Sequence, residues 1–185
     1  MTKQDLRNKL LSQRQALAPE LRAQADATLC RYVLAWWKQH QVKLLGVYWP
    51  IHGEPDLRTA YIELAQLGVQ LGLPVIANAS APLQFARWAP GEPLAPGAMK
   101  VPVPTLPHRA LQPEALLIPC VGFNRQRMRL GYGGGFYDRT LAVEPRPLAI
   151  GVAYDTALAE FAATEHDIGL DNVITESGSF RDQTE

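Results

Sequence analysis

The chain has little that would staple it, export it or hold it to a polyanion. Only two cysteines occur in 185 residues. Cys30 and Cys120 lie far apart and in unlike contexts, so both are expected as buried free thiols in a reducing cytoplasm. Lys+Arg and Asp+Glu number 18 each and the net charge is zero. A general nucleic-acid or membrane-surface binder carries an excess of positive charge, so any polyanion site must be local. The N-terminal MTKQDLRNKL is charged and has no apolar signal core, and no apolar run approaches the roughly 20 residues that span a bilayer. The expectation is a soluble, unexported protein, cytoplasmic, with no nucleic-acid or membrane partner. The strings GxxxxGKS/T, GxGxxG and GxSxG are absent, and the histidines at 40, 52, 108 and 166 show no spacing with either cysteine that would suggest zinc.

What is present suffices for one core: 47% of the residues are apolar, and a single domain over 1–185 is expected. Leu6, Leu10, Leu11 and Leu17 predict an amphipathic helix over 3–17, with Lys3, Arg7 and Arg14 on another face. A second helix over 19–39 turns Leu21, Leu29, Val33 and Trp37 inward and Arg22, Gln24 and Lys38 outward. The period then changes. The runs 42–49 (VKLLGVYW), 69–77, 83–88, 115–121 (ALLIPCV) and 148–152 read as strands, 172–175 as an edge strand, and 56–67 and 136–143 as helices. This alternation predicts an α/β fold, three-layer α/β/α and Rossmann-like, around a mostly parallel sheet. Ligands of such folds sit beyond the carboxyl ends of the strands, which selects the loops at 50–56, after ALLIPCV, and at 153–155. Residues 89–113 hold seven prolines and are expected as a surface connection forming one wall of a cleft, and 177–185 as a frayed polar tail.

The run RLGYGGGFYDR, Arg129 to Arg139, carries most of the chemistry. Four glycines let backbone N–H groups face an anion without Cβ interference, between an apolar run and helix-compatible residues, and arginines at 125, 127, 129 and 139 make the region positive. The ligand this suggests is a phosphate. Asp138 is the loop's only acid, and a carboxylate beside phosphates requires a cation between them, which points to Mg²⁺. The competing reading is a tight glycine turn whose arginines keep a surface loop soluble.

RLGYGGGFYDR also resembles the signature of the 5-formyltetrahydrofolate cyclo-ligase (5,10-methenyltetrahydrofolate synthetase) family. The likeness extends to Lys3-x-x-Leu6-Arg7 with Arg14, to Gly53-Glu54-Pro55-Asp56, and to Glu165-His166-Asp167 leading into Val173-Ile174-Thr175. The resemblance implies an enzyme that uses ATP and Mg²⁺ to phosphorylate the formyl oxygen of 5-formyltetrahydrofolate; N10 then attacks the activated carbon and phosphate leaves. The chain is expected to act as a monomer. The resemblance also implies that Lys3 and Arg7 reach the nucleotide, and that Arg129, Leu130, Gly131, Tyr132, Gly133, Gly134, Gly135, Phe136 and Tyr137 wrap the ATP phosphates. Tyr132 through Phe136 would also touch the folate. Asp138 and Asp167 match the metal positions, and Glu54 the substrate-binding acid, with Asp56 as the alternative acceptor for the pterin N–H groups. Arg129 and Arg139 are the candidates for neutralising charge in the transition state.

The chain departs from the family pattern at Asn124, Arg127, Ala157, Phe161 and Ala162. These changes bear on substrate contacts and loop shape more than on ATP. Two other functions remain open at this point: a nucleotide or folate binding module without turnover, and an RNA-associated relative, which zero net charge disfavours.

Overall fold

A computed structural model describes residues 1–105 and 110–180 of the chain. Helix α1 (Lys3–Gln15) starts at Thr2, whose hydroxyl accepts from the Asp5 N–H while the Asp5 carboxylate accepts from the Thr2 N–H. Such a capping box contributes about 1 kcal/mol and fixes Lys3 as the first helical residue. Pro19 opens α2 (Pro19–His40), and Gln41, left-handed at φ 54°, closes it. The strands and helices that follow are β1 (Leu44–Gly46), α3 (Arg58–Gln66), β2 (Gln70–Val75), β3 (Gln84–Trp88), β4 (Leu94–Pro96), β5 (Pro102–Pro104) and β6 (Ala110–Leu111). The rest comprises β7 (Ala115–Pro119), β8 (Gly122–Phe123), β9 (Arg129–Leu130), α4 (Phe136–Leu141), β10 (Leu148–Val152), β11 (Asn172–Thr175) and β12 (Gly178–Ser179).

Eight strands form the main sheet in the order β12-β11-β10-β7-β1-β2-β3-β6. The five from β11 to β2 run parallel, and β12, β3 and β6 are antiparallel additions at the two ends. The expected mostly parallel α/β sheet is therefore present. Side chains alternate between its faces. Leu45, Leu117, Ile150 and Val152 pack under α2 and α3, while Leu116, Ile118, Ala149 and Phe85 pack with Leu141 of α4. A third cluster, Leu6 and Leu10 with Val121 and Leu130, anchors α1 across the ends of the strands.

The chain leaves β1 through α3 toward β2 and leaves β7 through α4 toward β10, in opposite directions along the sheet. Because β1 and β7 are neighbours, a crevice opens between their carboxyl ends, where α/β folds bind ligands.

Several expectations need correcting. Leu21 is 58% exposed and Arg22 is half-buried, donating to the Arg14 carbonyl, because the buried stripe of α2 runs through Ala25, Leu29, Val33 and Trp36. Arg14 faces inward with Leu6 and Leu10, at 5% exposure, since i, i+4 and i+8 share a helix face. The proline-rich stretch contains the antiparallel pair β4–β5 and the edge strand β6, while residues 106–109 lie outside the described residues. A short hairpin, β8–β9, separates β7 from the glycine loop. Strand β11 is internal: β12 pairs beyond it, and Phe180 donates to the Val173 carbonyl and packs edge-on against Phe123. Of the expected frayed tail, 181–185 lies outside the described residues. Both cysteines are buried free thiols, as expected. Among the described residues no helix is long and apolar enough to cross a membrane.

Candidate active site

The crevice is a cavity of ≈ 300 Å³ walled by α1, the β1–α3 loop, the end of β2, the tip of the β4–β5 pair and the glycine loop. It gathers Lys3, Arg7, Glu54, Asp138, Asp167 and every residue from Arg129 to Tyr137. Arg139 is outside this lining. Its guanidinium donates to the Ala79 and Ala81 carbonyls at 2.9 and 3.2 Å and lies over the Phe136 ring, tying α4 to the β2–β3 connection. Asp56 is also outside, paired with Arg58. The 153–155 loop does not reach the cavity, and Tyr154 donates instead to Asp26, which also accepts from the Asp56 N–H.

The glycine loop is held open by its backbone. Gly133 and Gly135 sit at φ 97° and 65°, a region costly for residues with a Cβ. Among the described residues, no backbone N–H from Gly131 to Tyr137 donates to a protein acceptor. A run of seven free donors is unusual for folded backbone and suits an anion. Arg7 reaches the loop from α1, donating to the Gly131 carbonyl at 2.7 Å, and its guanidinium lies beside Gly133. Arg129 packs against Gly131, over the Tyr137 ring, and pairs with Asp138 at 3.2 Å with only 8% of its side chain exposed.

The two candidate metal carboxylates lie close along the backbone. Asp138 accepts from the Ile168 N–H at 3.3 Å, next to Asp167, which is paired with Lys3 at 2.8 Å. Burial pushes the Asp167 carboxyl up, but Lys3 and the Thr164 N–H outweigh it and hold the group below its ordinary value. No group of three or more His, Cys, Asp or Glu among the described residues forms a cage for a metal. Two carboxylates facing one anion site do fit Mg²⁺, which takes one or two from protein and the rest from phosphate and water.

The opposite end is built differently. His52 and Gly53 both have positive φ, 52° and 74°, so the chain turns sharply and the Glu54 N–H returns to the Ile51 carbonyl. Glu54 is 4% exposed; one oxygen accepts from the Ile51 N–H and the other from the Tyr132 hydroxyl at 2.9 Å. Burial pushes its carboxyl up to about 7, against the pull of the Ile51 N–H, Arg14 and Tyr132. Tyr48, donating to the Pro55 carbonyl, and Asp26 fix the far side of the loop. Trp49, Ile76, Leu83, Met99 and Val101 give the cavity an apolar wall.

Sequence reasoning missed His52, Met99 and Val101 in this lining and placed Arg14 outward. The proline-rich stretch does wall the cleft, through Met99 and Val101. The departures also find places. Asn124 accepts from the Gln126 and Met128 N–H groups, closing the β8–β9 turn, and its amide donates to the Phe161 carbonyl, which an aspartate could not do. Arg127 is left-handed at φ 59°, where glycine is the unstrained choice. Ala157 is buried, and Phe161 packs beside α1 under the Lys3 ammonium, while Ala162 is exposed.

The family model described as the 5-formyltetrahydrofolate cyclo-ligase family matches residues 1–176. The chain belongs to that family. It is 33% identical over 184 residues to a 5-formyltetrahydrofolate cyclo-ligase of Mycolicibacterium smegmatis, covering 94% of this chain and 93% of the relative. To the Escherichia coli K12 cyclo-ligase it is 31% identical, covering 89% and 94%. An Aquifex aeolicus 5,10-methenyltetrahydrofolate synthetase structure superposes with a TM-score of 0.83 at 28% identity, over 100% of this chain and 95% of that one. The Mycoplasma pneumoniae 5,10-methenyltetrahydrofolate synthetase gives 0.79 at 25% identity, over 95% and 99%. This cyclo-ligase family is one of enzymes, ligases of folate one-carbon metabolism, and the mostly parallel α/β sheet described above is its fold in this chain.

Proposed function

We propose that the cleft closes the ring of 5-formyltetrahydrofolate to 5,10-methenyltetrahydrofolate at the expense of ATP, with Mg²⁺, releasing ADP and phosphate. The observation that carries the nucleotide half is the unpaired run of N–H groups from Gly131 to Tyr137, flanked by Lys3, Arg7 and Arg129. It offers donors and positive charge to phosphates without reorganising. The folate half rests on Glu54, whose carboxylate keeps spare lone pairs for the amino-pyrimidine N–H edge, and on the apolar wall for the flat rings.

In this reading one loop touches both substrates, so it can bring the formyl oxygen in line with the γ-phosphate. Positioning of this kind supplies much of phosphoryl-transfer catalysis. Arg129 stabilises charge on the transferring group. Once the formyl oxygen is phosphorylated, N10 attacks that carbon, loses its proton, and the C–O bond breaks as phosphate departs. No protein nucleophile is required. Asp138 and Asp167 would hold Mg²⁺, which supplies charge neutralisation to the phosphates when bound. Lys3 and Arg129, their present partners, are then free for phosphate oxygens. The protein would act as a cytoplasmic monomer on these small molecules.

The test is the appearance of methenyltetrahydrofolate absorbance from 5-formyltetrahydrofolate. Product is expected only with ATP and Mg²⁺ together; none under those conditions would exclude the enzyme reading and leave a binding module.

A further inference from the structure

Arg14 is a charged side chain where a core residue would be expected. It sits in the last turn of α1 on the stripe shared with Leu6 and Leu10, 5% exposed, and its guanidinium is spent on three different segments. It donates to the His52 carbonyl at 3.2 Å, to the Cys120 carbonyl at 3.3 Å and to the Tyr132 hydroxyl at 2.6 Å. Those acceptors come from the β1–α3 loop, the end of β7 and the glycine loop, so one side chain joins the segments that meet at the crevice.

The bond to Tyr132 has a direction. An arginine can only donate, so the Tyr132 oxygen must accept from it, and its single proton is left for Glu54, 2.9 Å away. The order Arg14, Tyr132, Glu54 is therefore fixed. Glu54 is placed to accept at both oxygens, which favours its charged form against the burial that opposes it.

We propose that Arg14 is a positioning residue for the folate end of the cleft, acting through the Tyr132 hydroxyl to hold Glu54 as an oriented acceptor for the N–H edge of the pterin. The inference rests on the assignment of Glu54 to substrate in the reading above. Arg14 lies outside the cavity lining and would act through the residues it holds. The other groups that face Glu54 are neutral: Tyr48 from the end of β1, Cys120 after β7, and Tyr137 from α4, all kept protonated by burial. Arg14 is the cation among the described residues that favours the charged form of Glu54.

The test is folate affinity, read by quenching of tryptophan fluorescence as 5-formyltetrahydrofolate is added without ATP, from pH 6 to 8. Arg14→Gln is expected to weaken binding about tenfold at pH 7 and to move the acid limb upward by about one unit, the scale of losing a nearby opposite charge. The KM for ATP should stay near the wild-type value, and Arg14→Lys should recover part of the loss. Once Tyr132→Phe has broken the relay, adding Arg14→Gln should cost much less than it does alone. Should Arg14→Gln fail to fold, Tyr132→Phe carries the test, since it removes the hydroxyl link and leaves Arg14; it should weaken folate binding and move the acid limb in the same direction by a smaller amount, because the Arg14 charge remains. An unchanged affinity and pH profile, or equal losses for both substrates, would overturn the proposal while leaving an active wild type as a cyclo-ligase. A wild type that turns over no 5-formyltetrahydrofolate but still shows the shifts would remove the reaction and keep the positioning role.

Discussion

The two ends of the cleft meet at Tyr132 and obey opposite rules. Among the described residues the backbone donors from Gly131 to Tyr137 have no protein acceptors, Lys3 pairs with Asp167 and Arg129 with Asp138, and Arg7 donates to the Gly131 carbonyl. Around Glu54 both carboxylate oxygens, the Tyr132 and Tyr48 hydroxyls and the Arg14 guanidinium are bonded within the protein, and the loop is pinned by Tyr48, Asp26 and Arg14. An open set of donors suits a highly charged ligand that brings its own counter-ion. A closed set around one acid suits a ligand recognised by shape and a few hydrogen bonds. Both demands are met because the loops follow adjacent parallel strands, β1 and β7, at the point where the strand order reverses.

The largest expected effect falls on the open end. Arg129→Ala should lower kcat about 10²–10³-fold, the scale of removing one preorganised donor to transition-state charge. Steady-state kinetics at saturating substrates would reveal it; a mutant within twofold of wild type would remove Arg129 from the chemistry. Asp138→Asn should lower turnover while preserving the fold, and should raise the Mg²⁺ concentration needed for half-maximal rate. Wild-type activity across a Mg²⁺ titration would take Asp138 out of the metal site.

The closed end should also leave a mark on stability. Glu54 has a raised folded-state value of about 7 against an ordinary 4.5, so the folded protein holds its proton more tightly than the unfolded chain. Below about pH 4.5 both states are protonated and no penalty arises. As pH rises through 7, ionisation in the buried site lowers stability by about 3 kcal/mol. Chemical denaturation of wild type and Glu54→Gln should therefore show wild type losing ground by about that amount between pH 4.5 and 8. A pH-independent difference would contradict the buried-carboxylate account. The smallest effect belongs to Arg139→Ala. Because Arg139 binds loop carbonyls and lies outside the cavity lining, it should cost far less turnover than Arg129→Ala and show mainly as a lower Tm.

What the sequence made legible follows from how local each signal is. The glycine loop is one contiguous string, and strand runs such as ALLIPCV carry their burial in their own composition. Arg14 does not: its partners are 38, 106 and 118 residues away, so its burial is a tertiary fact. The spacing of Leu6, Leu10 and Arg14 could have placed it inward, but the spacing of Lys3, Arg7 and Arg14 placed it equally well outward. Strand β12 and the pairing of β4 with β5 were hidden for a related reason, since two- and three-residue strands, some with proline, have no period to read. Glu54 was legible as an acid in a loop. Its burial came only with the turn at His52 and Gly53 and with α1 packed over it.

The two-ended cleft is tested most directly by the KM values of Glu54→Gln for each substrate. Losing a charge-assisted bond to the pterin should raise the KM for 5-formyltetrahydrofolate about 10- to 100-fold and leave the KM for ATP within a factor of two. A Glu54→Gln enzyme whose KM rises for ATP and not for 5-formyltetrahydrofolate would contradict the assignment of the two ends.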